Sequence, residues 1–363
     1  MTSLRVAFPP LGSLSLAAEG YLRALGLEVV SPPPTSRRTL DIGVTHCPEM
    51  LCIPCKLLFG NYVEAAERGA NAIVMLGGAG TCRLGYSAMQ QAARLTSLGY
   101  NCRVYTFDLY HAHRDFLHLT REFADGRSFR ELIGPIRLLL GLLRLTDEVE
   151  TITLALRPRE LERGATDRAR AEALARIAAL RDPRQLQAEQ NDVLSLLYAV
   201  PHDPKRPVLH LGLVGDVYTI LTPFLNLNLE QELGRLGVEV RRWFRLTRKI
   251  VPPLPGPLRR DRGAQAVRAG SRYLARDVGG FARSTVGEAA LMAQGEVDGL
   301  IHVAPFNCTP EIVAQSALVA LQRERGVPVL NLSFDEQTGR AGMVTRLEAF
   351  VDMLWAARRK RGG

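Results

Sequence analysis

Apolar positions along this chain alternate between short unbroken runs and longer stretches with helical spacing, and the whole alternation occurs twice. LRVAFPP (4–10) reads as a strand, LSLAAEGYLRALG (14–26) as an amphipathic helix and LEVVSPP (27–33) as a second strand. Later, VLHLGLVG (208–215), LTPFLNLNLEQELGRLG (221–237) and VEVRRWF (238–244) repeat that order. Both predicted helices end at a glycine, Gly26 and Gly237, as a left-handed C-terminal cap requires.

The parallel extends further. LLFGNYVEAAERGANAIVMLGG (57–78) predicts a helix feeding a buried strand at Ile73–Leu76, and TVGEAALMAQGEVDGLIHVAPF (285–306) predicts the same around Leu300–Ala304. Each is followed by a segment that starts with cysteine, runs through a helix, breaks at Gly99 or Gly326 and ends on a strand closing Phe-Asp. Cys82 lies 25 residues before Phe107, and Cys308 lies 26 before Phe334. The chain is therefore an internal structural repeat of two α/β units. Strands alternating with helices imply parallel sheets with right-handed crossovers, so the expectation is two doubly wound domains facing each other across a cleft. The domains are expected at 1–110 and 204–363, with a helical, arginine- and leucine-rich connector at 111–203 ending near PHDPKRP (201–207).

Composition narrows the class. The chain has 363 residues, 47% hydrophobic and 23% charged, which is enough for two globular cores. The first thirty residues read as strand, turn and helix, with no secretory signal. The most apolar run, Ile136–Leu145, is too short for a bilayer and carries Arg137 and Arg144, so it reads as a buried helix. Net charge is +9, with eight basic residues and one acid in Arg241–Gly263. That stretch is either solvated loop or a patch for an anionic partner. No zinc-finger spacing, RNP-type motif or recognition helix is present, which argues against nucleic acid. Six cysteines without a signal peptide point to a reducing, cytoplasmic setting, where cysteines serve metals or redox chemistry more often than disulfides.

Three of the six lie in HCPEMLCIPCK (46–56) as Cys47-x4-Cys52-x2-Cys55. This segment, Cys82 and Cys308 all fall on predicted loops at the carboxyl ends of parallel strands, where open α/β sheets bind ligands. Cys102 aligns inside a strand opposite Val329 and reads as a packed structural thiol. For the other five, four readings stand side by side. Structural zinc needs a closed tetrahedral set and here has one thiol too many. A redox pair explains CIPC but leaves Cys82 and Cys308 aside. Buried inert thiols account for one or two. An iron–sulfur cluster takes soft thiolates from both tight and remote positions. Glu49, Glu311 and Lys56 adjoin these cysteines; as functional groups they would move protons or offset thiolate charge, and as structural ones the carboxylates favour helix N-termini. Gly77, Gly78 and Gly80 in GGAGTC offer a turn whose amide groups approach a bound group closely, without the spacing of a dinucleotide fingerprint.

The strings around the cysteines, from HCPEMLCIPCKLLFG to GGAGTCRLGY and from GLIHVAPFNCTPE to FVDML, closely resemble the acyl-CoA dehydratase activase-related proteins, relatives of 2-hydroxyacyl-CoA dehydratase subunits and double-cubane cluster proteins. The resemblance covers both α/β halves and the middle only loosely. It implies flavodoxin-like domains with an oxygen-sensitive iron–sulfur cluster between them, [4Fe-4S] or, alternatively, a double-cubane [8Fe-9S] group. It further implies low-potential electron transfer or reductive chemistry on a small or CoA-bound substrate, served by an ATP-dependent activase of actin-like fold. Cys52, Cys82 and Cys308 match the cysteines that recur in the family, whereas Cys47 and Cys55 stand where many relatives differ. At VGGFARSTVG (278–287) relatives often read Gly-Gly-His-Gly, so a histidine role there does not carry over. The resemblance leaves open whether the chain is itself a reductase or dehydratase component and whether it forms a homodimer. The rival is a non-catalytic scaffold, stabilised by zinc or binding the activase.

Overall fold

The computed structural model describes residues 4–77, 82–108, 111–243, 247, 262–295 and 297–362. The chain divides into two compact units. Of the described residues, those up to 147, those in 174–193 and Thr247 belong to the first, and those in 148–173, 194–243 and from 262 onward belong to the second.

The first unit holds four short parallel strands, β1 (Arg5–Ala7), β2 (Glu28–Val29), β3 (Ala72–Leu76) and β4 (Arg103–Phe107), in the order β2-β1-β3-β4. Between them run α1 (Leu14–Ala24), α2 (Arg37–His46), α3 (Ile53–Glu67) and α4 (Arg83–Ser97). The second unit has β5 (Leu209–Gly215), β6 (Val238–Arg242), β7 (Gly299–Pro305) and β8 (Val329–Phe334), all parallel, in the order β6-β5-β7-β8. The order is the same in both, so the repeat read from the sequence is a repeat of topology. It is the start of a flavodoxin-like winding, whose switch point falls between the first and third strands of each set.

Helices α5 (Ala112–Phe123), α6 (Phe129–Leu156), α7 (Ala165–Ala179) and α8 (Pro183–Tyr198) form the middle of the chain, and the unit boundary runs through the last three. Ile136–Leu145 lies inside α6, and no helix among the described residues is long and apolar enough to cross a membrane.

In the second unit, α9 (Val217–Leu221) and α10 (Leu229–Arg235) follow β5, α11 (Arg262–Ser271) and α12 (Ala282–Met292) precede β7, and α13 (Thr309–Arg325) and α14 (Arg340–Gly362) follow later. The helix expected over 221–237 is thus confined to α10, and α9 lies before it. Pro223 supplies no amide to a continuing helix, and Leu227 and Asn228 take left-handed backbone angles, φ 56° and 58°. Cys102 also differs from expectation: it stands one residue before β4 and donates its thiol to the Ala70 carbonyl at 3.3 Å.

Pairs of helices packed through glycine precede the central strand of each sheet. A side chain at Gly43 of α2 would fall on the Lys56 carbonyl of α3, and one at Gly60 on the Thr39 carbonyl. In the second unit the same holds for Gly270 against Arg283 and Gly287 against Ala266. Gly60 and Gly287 each lie 12 residues before the corresponding strand position, Ala72 or Gly299. The repeat therefore includes the way the helices approach one another.

Candidate metal centre

In the first unit the close α2–α3 pair aims its connecting turn at the carboxyl edge of the sheet. Cys47 is the C-terminal cap of α2, and Cys52 is the N-terminal cap of α3, which starts earlier than the sequence suggests because Pro54 fits its first turn. Cys55, within that first turn, is fully buried, and its Sγ lies 3.4 Å from Cys52 Sγ. Cys82 caps α4 just past the central strand β3. Three contacts tie α4 to this turn. Arg83 donates to the Met50 carbonyl at 2.7 Å, Gln91 donates to the Cys55 carbonyl at 2.8 Å, and the Ser87 hydroxyl bonds the Cys55 thiol.

The electrostatics keep these groups as thiols until something replaces the proton. The hydrogen bond from Cys52 and then burial push Cys55 well above the ordinary thiol range, with further contributions from charge on Cys52 and Cys82. Burial pushes Cys47 up to about 11, against the pull of Lys56 and Arg94. Lys56 is itself 3% exposed and donates Nζ to the Glu49 carbonyl at 2.7 Å, so a buried cation stands beside the thiols. The Glu49 carboxylate is exposed in the turn before α3 rather than on its first turn. Gly77 follows β3, where a side chain would strike Ala88 of α4, so this glycine lets the cysteine-bearing helix seat on the strand end. Gly78 and Gly80 lie outside the described residues.

Among the described residues, no three His, Cys, Asp or Glu side chains are arranged around a single metal ion. Tetrahedral zinc at about 2.3 Å from sulfur needs edges of roughly 3.8 Å among four ligands. Cys52 and Cys55 come near that spacing, with their sulfurs 3.4 Å apart. A cluster spreads its thiolate ligands over several irons, so it asks for soft donors around a larger volume. Four cysteines on three helices with a buried lysine fit that donor requirement.

In the second unit, Cys308 caps α13 beyond the central strand β7, after Asn307 with φ 62°. Beneath it lies a polar group that inspection of the motifs only half finds. Glu311, in the first turn of α13, is 2% exposed and accepts from the Thr285 hydroxyl at 3.1 Å, and its other oxygen lies 2.9 Å from Nε2 of His302. His302 is fully buried in β7. Across the switch point, Asp216 follows β5; burial pushes its carboxyl up to about 6, a rise that the Thr219 bonds oppose and Glu311 charge assists. His302 and Asp216 gave no signal in the sequence, because a histidine inside an apolar strand looks like any core residue.

Two further features occupy the carboxyl edge of the first sheet. An apolar cavity of about 120 Å³ is lined by Phe8, Leu76, Phe107, Phe116 and Leu139 among others. After β4, Asp108 is buried and bonded at 2.7 Å to Nδ1 of the half-exposed His111.

Residues 289–354 match the family model described as 2-hydroxyglutaryl-CoA dehydratase, D-component. The matched segment begins inside α12 and runs through β7, Cys308, α13 and β8 into α14. No curated protein matches the chain.

Proposed function

We propose that this chain, a member of the 2-hydroxyacyl-CoA dehydratase family by its second unit, holds an iron–sulfur cluster and uses it for low-potential electron transfer or reductive chemistry. One observation carries the reading: cysteines cap helices at the carboxyl edge of both parallel sheets, Cys52 and Cys82 in the first unit and Cys308 in the second. Those three form the proposed ligand set, with Cys47 and Cys55 as additional thiolates. When bound, the cluster supplies an electron at low potential.

The chain's own residues then have definite work. The helix N-termini behind Cys52, Cys82 and Cys308 favour thiolate over thiol once the proton leaves. Lys56 offsets part of the charge. Backbone amides around Gly77 tune the site, and Glu311 handles protons. The apolar cavity suits a short acyl or aryl group, since an apolar cavity of comparable size stays dry and accepts benzene. The substrate class is accordingly a small or CoA-bound acyl compound. The electron donor is an ATP-dependent activase of actin-like fold, and the setting is the reducing cytoplasm. The cluster is a [4Fe-4S] cubane, with a double cubane as the alternative.

Anaerobic purification followed by iron, sulfide and zinc analysis and EPR of the reduced protein tests this directly. About four irons per chain with matching sulfide is the expected result, and about eight points to the double cubane. Zinc without labile sulfide would sink the cluster reading and leave a zinc-stabilised scaffold.

A further inference from the structure

The polar group beneath Cys308 continues sideways across the sheet. His302 pairs in register with Asn331 of β8 and Val214 of β5, so all three side chains share one face. That face is covered by α12 and α13, because Val214 and Leu300 pack in one apolar cluster with Val286, Ala289, Ala314 and Leu318. Inside this apolar layer, Nδ1 of His302 and Oδ1 of Asn331 are buried and have no hydrogen-bond partner among the described residues. Two orphaned polar atoms at paired positions on neighbouring strands cost free energy unless something bridges them. A buried water with two or more polar partners is the usual bridge. Asn331 is half-buried in the edge strand β8, whose backbone carbonyl there accepts from the exposed Arg346 at 2.7 Å.

We propose that His302 and Glu311 form a buried proton relay, filled from the β8 edge through a water between Asn331 and His302, that delivers protons to the carboxyl edge carrying Cys308. The proton balance is simple. Water at Asn331 gives a proton to Nδ1 as Nε2 passes its own to Oε2 of Glu311, and the water regains one from solvent. Glu311 then releases that proton at the edge when the centre is reduced. On reoxidation it takes one back and returns it to Nε2 as Nδ1 gives one to the water, which restores the starting tautomer. The groups facing the pair are Asp216 from the β5–α9 turn, Thr285 from α12 and Asn331 from β8. This reading assigns a task to His302, which no other step uses. It rests on the proposed function only for what the protons serve.

Two measurements on the full chain test it. In the metal-free protein labelled with ¹⁵N-histidine, the His302 Nε2–H should exchange with D₂O at least tenfold faster than the backbone amides of β7 on either side. Asn331→Leu should slow that exchange tenfold or more while circular dichroism stays unchanged. An Nε2–H as protected as its strand, or exchange indifferent to Asn331→Leu, overturns the relay and makes the pair a fixed tie between β7 and α13. In the iron-loaded protein, reduction should take up a proton, and Glu311→Gln and His302→Gln should each slow that uptake at least tenfold in stopped-flow measurements with a pH indicator. Unchanged rates in both variants overturn the relay. A chain that binds no iron defeats the proposed function, yet the exchange experiment still decides the relay.

Discussion

Asp216 shows how a single half-buried carboxyl sets a pH dependence. It caps α9 through the Thr219 amide at 2.8 Å and hydroxyl at 2.7 Å. Burial raises its folded value from 3.8 to about 6. The folded chain therefore holds a proton that the unfolded chain has already lost across that interval. Stability from this group is greatest below about pH 4, falls as pH climbs to about 6 and is flat above. Asp216→Asn keeps a capping oxygen and removes the titration. Relative to the variant, wild type should lose up to ~3 kcal/mol between those limits, measured by urea unfolding at fixed pH. Parallel profiles for the two proteins would refute the assignment. At this scale the sequence was a partial guide. Cys82 and Cys308 announced themselves through glycine-bounded repeats, and Glu311 through its cysteine neighbour. Asp216, His302 and Asn331 belong together only because adjacent parallel strands bring residues far apart in sequence into register.

Between elements, the α2–α3 crossing fixes where three of the six cysteines point. Gly43 and Gly60 allow backbone contact there, and any side chain would have to push the helices apart. Gly43→Ala and Gly60→Ala should each destabilise by roughly 1–3 kcal/mol as overpacking does, read from the urea midpoint. Gly342→Ala in α14, where an added Cβ meets nothing within 4 Å, should instead be neutral or stabilise by up to about 1 kcal/mol. If all three variants behave alike, the crossing is not the constraint described. Because α2 ends at Cys47 and α3 begins at Cys52, Gly43→Ala should also lower iron content in the anaerobic assay. The sequence marked α3 and its strand through apolar spacing. It could not mark the crossing, since a glycine inside a helix reads only as a weak helix former until a second backbone is set against it.

For the whole molecule, the decisive matter is which cysteines hold the metal. On the proposed function, Cys308→Ser should reduce iron per chain as severely as Cys52→Ser, although their residues belong to different compact units. Retention of full iron and an unchanged EPR signal in Cys308→Ser would confine the metal to the first unit. The sequence by itself determined the class and repeat of the fold. Periodicity of apolar residues and glycine stops are local properties, and two parallel sheets follow from strands that alternate with helices. It also marked the thiols from which the proposed site is built, because their number and spacing are written in the residues. Tertiary structure alone decided that Cys55 is buried against Cys52 while Cys102 bonds a distant carbonyl. It alone decided that Lys56 lies buried beside the thiols, and that a histidine in the middle of β7 meets a carboxylate from α13. Each of these depends on which backbone comes close to which, and that is set by helix crossings and strand register rather than by spacing along the chain.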